Sequence, residues 1–198
     1  TRWLGGDEFR QLASRQISSL LKTEGELKPL EWSSFSVYSG GFSSRKGAPG
    51  TWLWDIREIR TEISPRLLLD RILRFSEISV GELILSAGNP AAPSLPPASS
   101  EAAKKESSPD LFQDVQVGSV EIRSIQLAPS AQSDGWGARG LRASVQPSRQ
   151  QIQFLVEGGE ITTPFPGVGT ILLGSAKGGY TDPTIFLTSL DEIGRAHV

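Results

Sequence analysis

The sequence predicts an α+β fold that is mostly antiparallel β. We expect a curved sheet, able to form an open β-groove, with two short amphipathic helices packed against it. Between Pro29 and Ile63, apolar and polar residues alternate on both sides of a Gly/Ser/Lys/Pro loop, as in a β-hairpin. Segments 7–22 and 64–75 instead have apolar residues at helical spacing. Beyond residue 110, short alternating runs separated by turn signals are typical of an antiparallel meander.

The first predicted helix covers residues 7–22. Asp7 is a suitable N-cap residue for this helix, and Gly25 is near the position where the helix should end. One face carries the apolar residues Phe9, Leu12, Ala13, Ile17, Leu20 and Leu21. This pattern predicts a helix packed on a sheet, and the basic residues are too few to favour a membrane-surface helix.

The predicted hairpin pairs Leu30–Val37 with Trp52–Ile63 around a loop at Ser43–Gly50. Trp32, Trp52 and Trp54 all lie within it. Tryptophans at such positions ordinarily serve core and cross-strand packing. The alternative is that these tryptophans line an apolar groove that binds a hydrophobic ligand.

The rest of the chain follows in three predicted parts. Ser64 and Pro65 begin the second predicted helix. A strand at Ile78–Ser86, with a bulge at Gly81, follows this helix and ends the first part of the chain, residues 1–86. Residues 87–110 are rich in Pro, Ala and Ser, which predicts a disordered loop. Residues 111–191 continue the same sheet, with strands predicted at 115–127, 140–146, 152–156, 161–163, 169–174 and 184–190.

The composition excludes several classes of function. A net charge of -2 gives no basic excess for binding nucleic acid. The absence of cysteine rules out disulfides and thiolate metal sites. The chain also has a single histidine, His197, which we discount below, so we expect no metal and no cofactor.

No motif in the chain predicts catalysis. The spacing GxGxxG at 135–140 is followed by a strand-like segment, whereas a dinucleotide site needs a helix there, so we interpret it as a hairpin turn. The carboxylates Asp55, Glu58, Glu62 and Asp70 have arginine neighbours, which favours a solvated, mixed-charge sheet face. A two-carboxylate hydrolase stays formally open, although nothing singles out a pair.

Both ends of the sequence are unusual. The chain begins with Thr1 and contains no Met, and residues 192–198, EIGRAHV, resemble the translation of a sequencing adapter. We hypothesise a fragment from shotgun DNA with a non-native tail. The histidine at position 197 is therefore discounted for function.

A family resemblance covers about residues 7–191. Three segments resemble the N-terminal envelope region of bacterial AsmA-like proteins, which include the TamB-related translocation proteins. The segments are FRQLASRQISSLLKTEGELKPLEWSSFSVYSGGFSS, WDIREIRTEISPRLLLDRILRFSEISVGELIL and VGSVEIRSIQL. The resemblance implies a non-enzymatic, β-rich periplasmic body behind an inner-membrane anchor, which would precede Thr1. It also implies roles in outer-membrane biogenesis or in envelope lipid transport along an apolar groove.

The resemblance implies phospholipid acyl chains as partners. Candidate groove residues, chosen from the alternating runs, are Trp32, Phe35, Val37, Trp54, Ile56, Val120 and Ile122. Two other classes stay open: an extracytoplasmic β-rich enzyme acting on carbohydrate, and a structural or adhesion module. An ordinary two-layer domain would show the same alternation.

Overall fold

The computed structural model of the 198-residue chain describes residues 7–21, 23–47, 52–63, 72–87, 114–128, 135–148, 151–165, 167–181 and 184–196. Within these ranges the chain forms one α-helix, α1 (Asp7–Leu21), and eleven β-strands. The strands are β1 (Thr23–Leu27), β2 (Leu30–Ser33), β3 (Ser36–Gly47), β4 (Trp52–Ile63), β5 (Ile72–Ala87), β6 (Asp114–Leu127), β7 (Gly137–Pro147), β8 (Ile152–Glu157), β9 (Glu160–Thr162), β10 (Thr170–Thr181) and β11 (Thr184–Ala196).

All eleven described strands belong to one sheet, in the order β1-β3-β4-β5-β6-β7-β8-β10-β11. The short strand β2 pairs with β3, and β9 pairs with both β7 and β10. Every described pair is antiparallel except β5 with β6, which are parallel. A parallel pair needs a crossover of about a dozen residues or more, and the segment between Ala87 and Asp114 is long enough.

The predicted α+β fold with two helices is wrong, because the described part of the chain is mostly β with one short helix. The predicted second helix included Ile72–Phe75, but these residues are strand, paired with Asp114–Val117 of β6. Pairing with a distant segment outweighed the local helical spacing. The remainder of that prediction, residues 64–71, lies outside the described residues, as does the predicted loop over 88–110.

The hairpin of β3 and β4 is confirmed, with Phe42 opposite Ile56. The predicted single strand Leu30–Val37 is wrong, since a two-residue turn at Ser34 and Phe35 divides it into β2 and the start of β3. Ser34 has a φ of 54°, a left-handed conformation that allows the tight reversal. The predicted loop also starts too early, because β3 continues to Gly47.

The remaining strands occur where the alternation predicted them, and all except β9, which keeps three residues at Glu160–Thr162, run longer. The strand predicted at Ile78–Ser86 is part of the 16-residue β5, and the predicted Thr184–Leu190 extends to Ala196. The register between β4 and β5 does not shift at Gly81. The expected bulge is therefore wrong, and the irregular residue is Glu58 on the neighbouring strand, with a φ of 54°.

The predicted first helix is confirmed, but it lies along the edge strand β1 and its main contacts are with that strand. The hydroxyl of Ser14 accepts a hydrogen bond from the Leu27 N–H at 3.0 Å. The hydroxyl of Ser18 accepts from the Gly25 N–H at 3.2 Å and donates to the Gly25 carbonyl at 3.3 Å. The two serines, one helical turn apart, thus satisfy backbone groups that an edge strand would otherwise leave open.

Replacing both serines with alanine should loosen this edge. The double variant Ser14→Ala, Ser18→Ala leaves the N–H groups of Gly25 and Leu27 without these acceptors, and we expect a loss of roughly 1–3 kcal/mol in unfolding free energy. Amide hydrogen exchange at Gly25 and Leu27 should accelerate. The control is Gln11→Ala on the exposed side of α1, and equal exchange in both variants would contradict the role given to the serines.

Few apolar side chains in the described residues are fully enclosed. Those that are buried are Leu27, Val37, Phe42, Ile63, Val80, Leu83, Leu141, Ala143 and Leu173. Phe42, at 0% exposed, is the largest of them. The main contacts of every described element are with its neighbours in the sheet, or between α1 and β1.

Candidate functional site

The strand register places two long rows of mostly apolar residues side by side across the sheet. Residues directly opposite each other on neighbouring strands share a face, and so do residues two apart on one strand. The first row is Val37, Thr61, Ile78, Val120, Val145, Phe154, Gly178 and Leu187. The second row is Ser39, Ile59, Val80, Ile122, Ala143, Val156, Ala176 and Leu190.

Two further rows cross the other half of the sheet. The third row is Leu27, Phe42, Ile56, Leu83, Ile125 and Leu141. The fourth row is Trp54, Leu85, Leu127, Ala138, Ile161 and Ile171. On β4, Ile59 of the second row and Ile56 of the third row are three residues apart. In a regular strand, side chains three residues apart lie on opposite faces, so the third and fourth rows would lie on the opposite face from the first two.

Left-handed backbone residues on β3 and β4 reverse the alternation there, and Val80 and Leu83, three residues apart on β5, are both buried, so we assign all four rows to one face. Glu58 has a φ of 54° between Ile56 and Ile59, which are both half-buried. Gly41, with a φ of 133°, reverses the alternation on β3. A Cβ at Gly41 would collide with the Ile56 carbonyl oxygen. Gly140, with a φ of 69°, separates the third and fourth rows on β7. We call the surface formed by the four rows the apolar face.

The opposite face of the sheet is mostly polar, although it also carries Ile84 and Leu155. Arg57 bridges two carboxylates, with Nη2 2.8 Å from Asp55 Oδ2 and Nη1 2.8 Å from Glu82 Oε2. Its hydrogen bond to Asp55, with the attraction of that charge, raises the pKa of Arg57 above its ordinary value. Gln126 donates to Glu82 at 2.7 Å. These contacts match the predicted mixed-charge face, where Glu58 and Glu62 are exposed as well.

Six of the seven predicted groove residues lie on the apolar face. Val37 and Val120 belong to the first row, and Trp32 extends it onto β2 because it lies opposite Val37. The second, third and fourth rows contain Ile122, Ile56 and Trp54, respectively. Phe35 does not join them, since it lies in the β2–β3 turn with 57% of its surface exposed.

Sequence reasoning missed the half of this face formed by β7 to β11. The unnamed residues include Val145, Phe154, Val156, Leu187 and Leu190. The alternation in Ala143–Val145 and Ile152–Val156 carried the signal. Leu187 and Leu190 could not be assigned to one face from spacing alone, because a register shift beside Gly178 brings them together.

Two features border the apolar face. A cleft of about 610 Å³ beside β2 to β5 is lined by Trp32 and Val37 together with polar side chains, among them Arg60, which lies over the Tyr38 ring at 5.6 Å. Near the fourth row, Trp136 and Phe165 make an edge-to-face contact at 5.7 Å between ring centroids. The interpretation of segment 135–140 as a hairpin turn is wrong in part, because its residues 137–140 already belong to strand β7.

No protein-family model, curated protein or solved structure matches this chain at a significant level. The helix in the described ranges is too short and too polar to cross a membrane.

The dimensions of the apolar face suit an extended hydrocarbon. The first row crosses eight strands, and a strand spacing of about 4.8 Å gives it a width of about 34 Å. A bilayer core of about 30 Å holds two layers of acyl chains, so one chain needs about 15 Å. The face is therefore large enough to hold more than one acyl chain.

Proposed function

We propose that this chain is a non-enzymatic, lipid-handling part of an AsmA-like envelope protein, with the apolar face holding phospholipid acyl chains. The proposal includes a role in envelope lipid transport or outer-membrane biogenesis, a periplasmic location, and anchoring of the whole protein in the inner membrane. The observation that carries it is the apolar face, whose four aligned rows include half-buried apolar side chains such as Val120, Ile122 and Phe154.

The physical argument rests on apolar surface that the fold leaves half-exposed. Phe154 and Val156 in β8, and Val145 beside them in β7, are all only half-buried. Each methylene of an acyl chain transferred from water to such a surface contributes about 0.8 kcal/mol. A chain laid along the rows would therefore bind favourably without hydrogen bonds, while the polar face stays in water.

A charge placed on the apolar face should abolish lipid binding. In the variant Val145→Glu, a carboxylate lies in the first row, where contact with an acyl chain would strip its water. We expect at least a tenfold loss of bound phospholipid, which corresponds to about 1.4 kcal/mol. The measurements are mass spectrometry of co-purified phospholipid and titration with a fluorescent phosphatidylethanolamine.

The matched control is Gln146→Glu, which adds the same charge one residue away on the polar face. This variant should bind lipid like the parent chain. Circular dichroism checks that both variants keep the strand content of the parent. Absence of phospholipid from the purified parent, together with no binding of the fluorescent lipid, would refute the proposed function.

A further inference from the structure

One end of the sheet has three exposed aromatic side chains. At this end β4 begins and β5 finishes, with Trp52 opposite Ala87, and β6 finishes where β7 begins. Trp52, Trp136 and Phe165 are 37%, 38% and 58% exposed, respectively. We call this part of the sheet the aromatic end.

The aromatic end continues the apolar face. Trp52 lies two residues before Trp54 of the fourth row, with no register shift between them, so both side chains belong to the same face. Trp136 lies two residues before Ala138 of that row, and its ring contacts the Phe165 ring edge to face at 5.7 Å. Trp52 and Trp136 lie at the starts of β4 and β7, three strand positions apart, so the aromatic end is about 14 Å wide.

Charged residues are absent from the described part of the aromatic end. The described residues there are 52–53, 86–87, 127–128, 135–138, 162–165 and 167–170, and they include no Asp, Glu, Lys or Arg. The other end of β4 and β5 instead has Glu62, Arg74 and Glu77, all exposed. Because removal of a charge from water is costly, the aromatic end is the better suited of the two to enter an apolar medium.

We propose that the aromatic end docks on the surface of a phospholipid bilayer, with its rings among the headgroups and the upper acyl chains. Tryptophan combines an apolar ring with a polar N–H, so it is favoured at this boundary. Phe165 has no polar side-chain atom and would enter the acyl region beside Trp136. A stable protein partner needs about 20–30 residues a side, far more than three rings, whereas a bilayer surrounds each inserted ring by itself.

Docking in this orientation places the fourth row at the membrane surface. This inference rests on the proposed function, because it names the bilayer as the partner that exchanges acyl chains with the apolar face. An acyl chain would pass between the bilayer and the fourth row along the rings, without crossing bulk water. Glu62 and Glu77 would point away from the membrane, where anionic headgroups do not repel them.

The test is co-sedimentation of the whole chain with sucrose-loaded vesicles of phosphatidylethanolamine and phosphatidylglycerol. We expect the parent chain to sediment with the vesicles. Phe165→Ser should lower the vesicle partition coefficient at least tenfold, because it removes a phenyl ring from the bilayer. Trp136→Ser should lower it as well.

The matched control is Phe35→Ser. It removes a ring of nearly equal exposure, 57% against 58%, from the turn before β3, at the opposite end of the sheet. This variant should bind vesicles like the parent chain. Circular dichroism checks that all variants keep the strand content of the parent.

A titration with the soluble fluorescent phosphatidylethanolamine separates docking from the proposed function. Val145→Glu should lose the soluble lipid and keep vesicle binding, whereas Phe165→Ser should keep the soluble lipid and lose the vesicles. A chain that binds the soluble lipid but no vesicles would retain the proposed function and remove only the docking.

Two further results would overturn the docking. The first is an equal loss of vesicle binding in Phe165→Ser and Phe35→Ser, which would show that the contact does not depend on this end. The second is loss of vesicle binding in Val145→Glu, which would place the membrane contact on the first row.

Discussion

Replacing Phe42 with alanine is expected to cost about 3–5 kcal/mol of unfolding free energy. Phe42 is fully buried between neighbouring strands, opposite Leu27 of β1 and Ile56 of β4. Its ring also covers Gly25, where a Cβ would come within 2.8 Å of the ring atom Cε1. Truncation would leave a cavity that the surrounding backbone cannot close, so the cost exceeds the transfer energy of the ring alone.

Urea denaturation followed by tryptophan fluorescence measures this effect. The control is Phe35→Ala, which removes the same ring from a turn where 57% of its surface is exposed. We expect this control to change the unfolding free energy by less than about 0.5 kcal/mol. Similar losses in the two variants would show that Phe42 is not the centre of the packed region.

Replacing Gly41 with alanine should destabilise the protein by about 3 kcal/mol or more. Gly41 has a φ of 133°, a conformation that is essentially restricted to glycine, and a Cβ there would collide with the Ile56 carbonyl oxygen. Relief of the collision would require β3 and β4 to separate beside Phe42. The first and second rows would then lose their alignment with the third and fourth.

The neighbouring glycine provides a matched control. A Cβ on Gly40 would approach Cδ of Lys28 at 3.1 Å, and the end of that side chain can move aside. Gly40→Ala should therefore cost less than about 1 kcal/mol, as for an ordinary glycine in a strand. Equal midpoints in urea for the two alanine variants would contradict the structural role of Gly41.

The candidate site could be predicted in part from local patterns. Alternation placed Val37, Ile56, Val120 and Ile122 in strands with one side half-buried, and they do lie on one face. The same reasoning put Phe35 among them, because a two-residue turn at Ser34 cannot be distinguished from a strand by alternation alone. The residues of β7 to β11 were left out because their rows appear only when the strand order is known.

The sequence by itself determined α1, most of the strands and the division of their residues into apolar and polar sides. These features follow from helical or alternating spacing within a few residues, which the chain carries locally. Tertiary structure decided that Ile72–Phe75 extend a strand, that β5 and β6 run parallel, and that α1 covers an edge. It also decided that Glu58 turns two halves of the sheet toward the same side. Each of these outcomes depends on hydrogen bonds and packing between distant segments, whose energy is not encoded in the spacing of neighbouring residues.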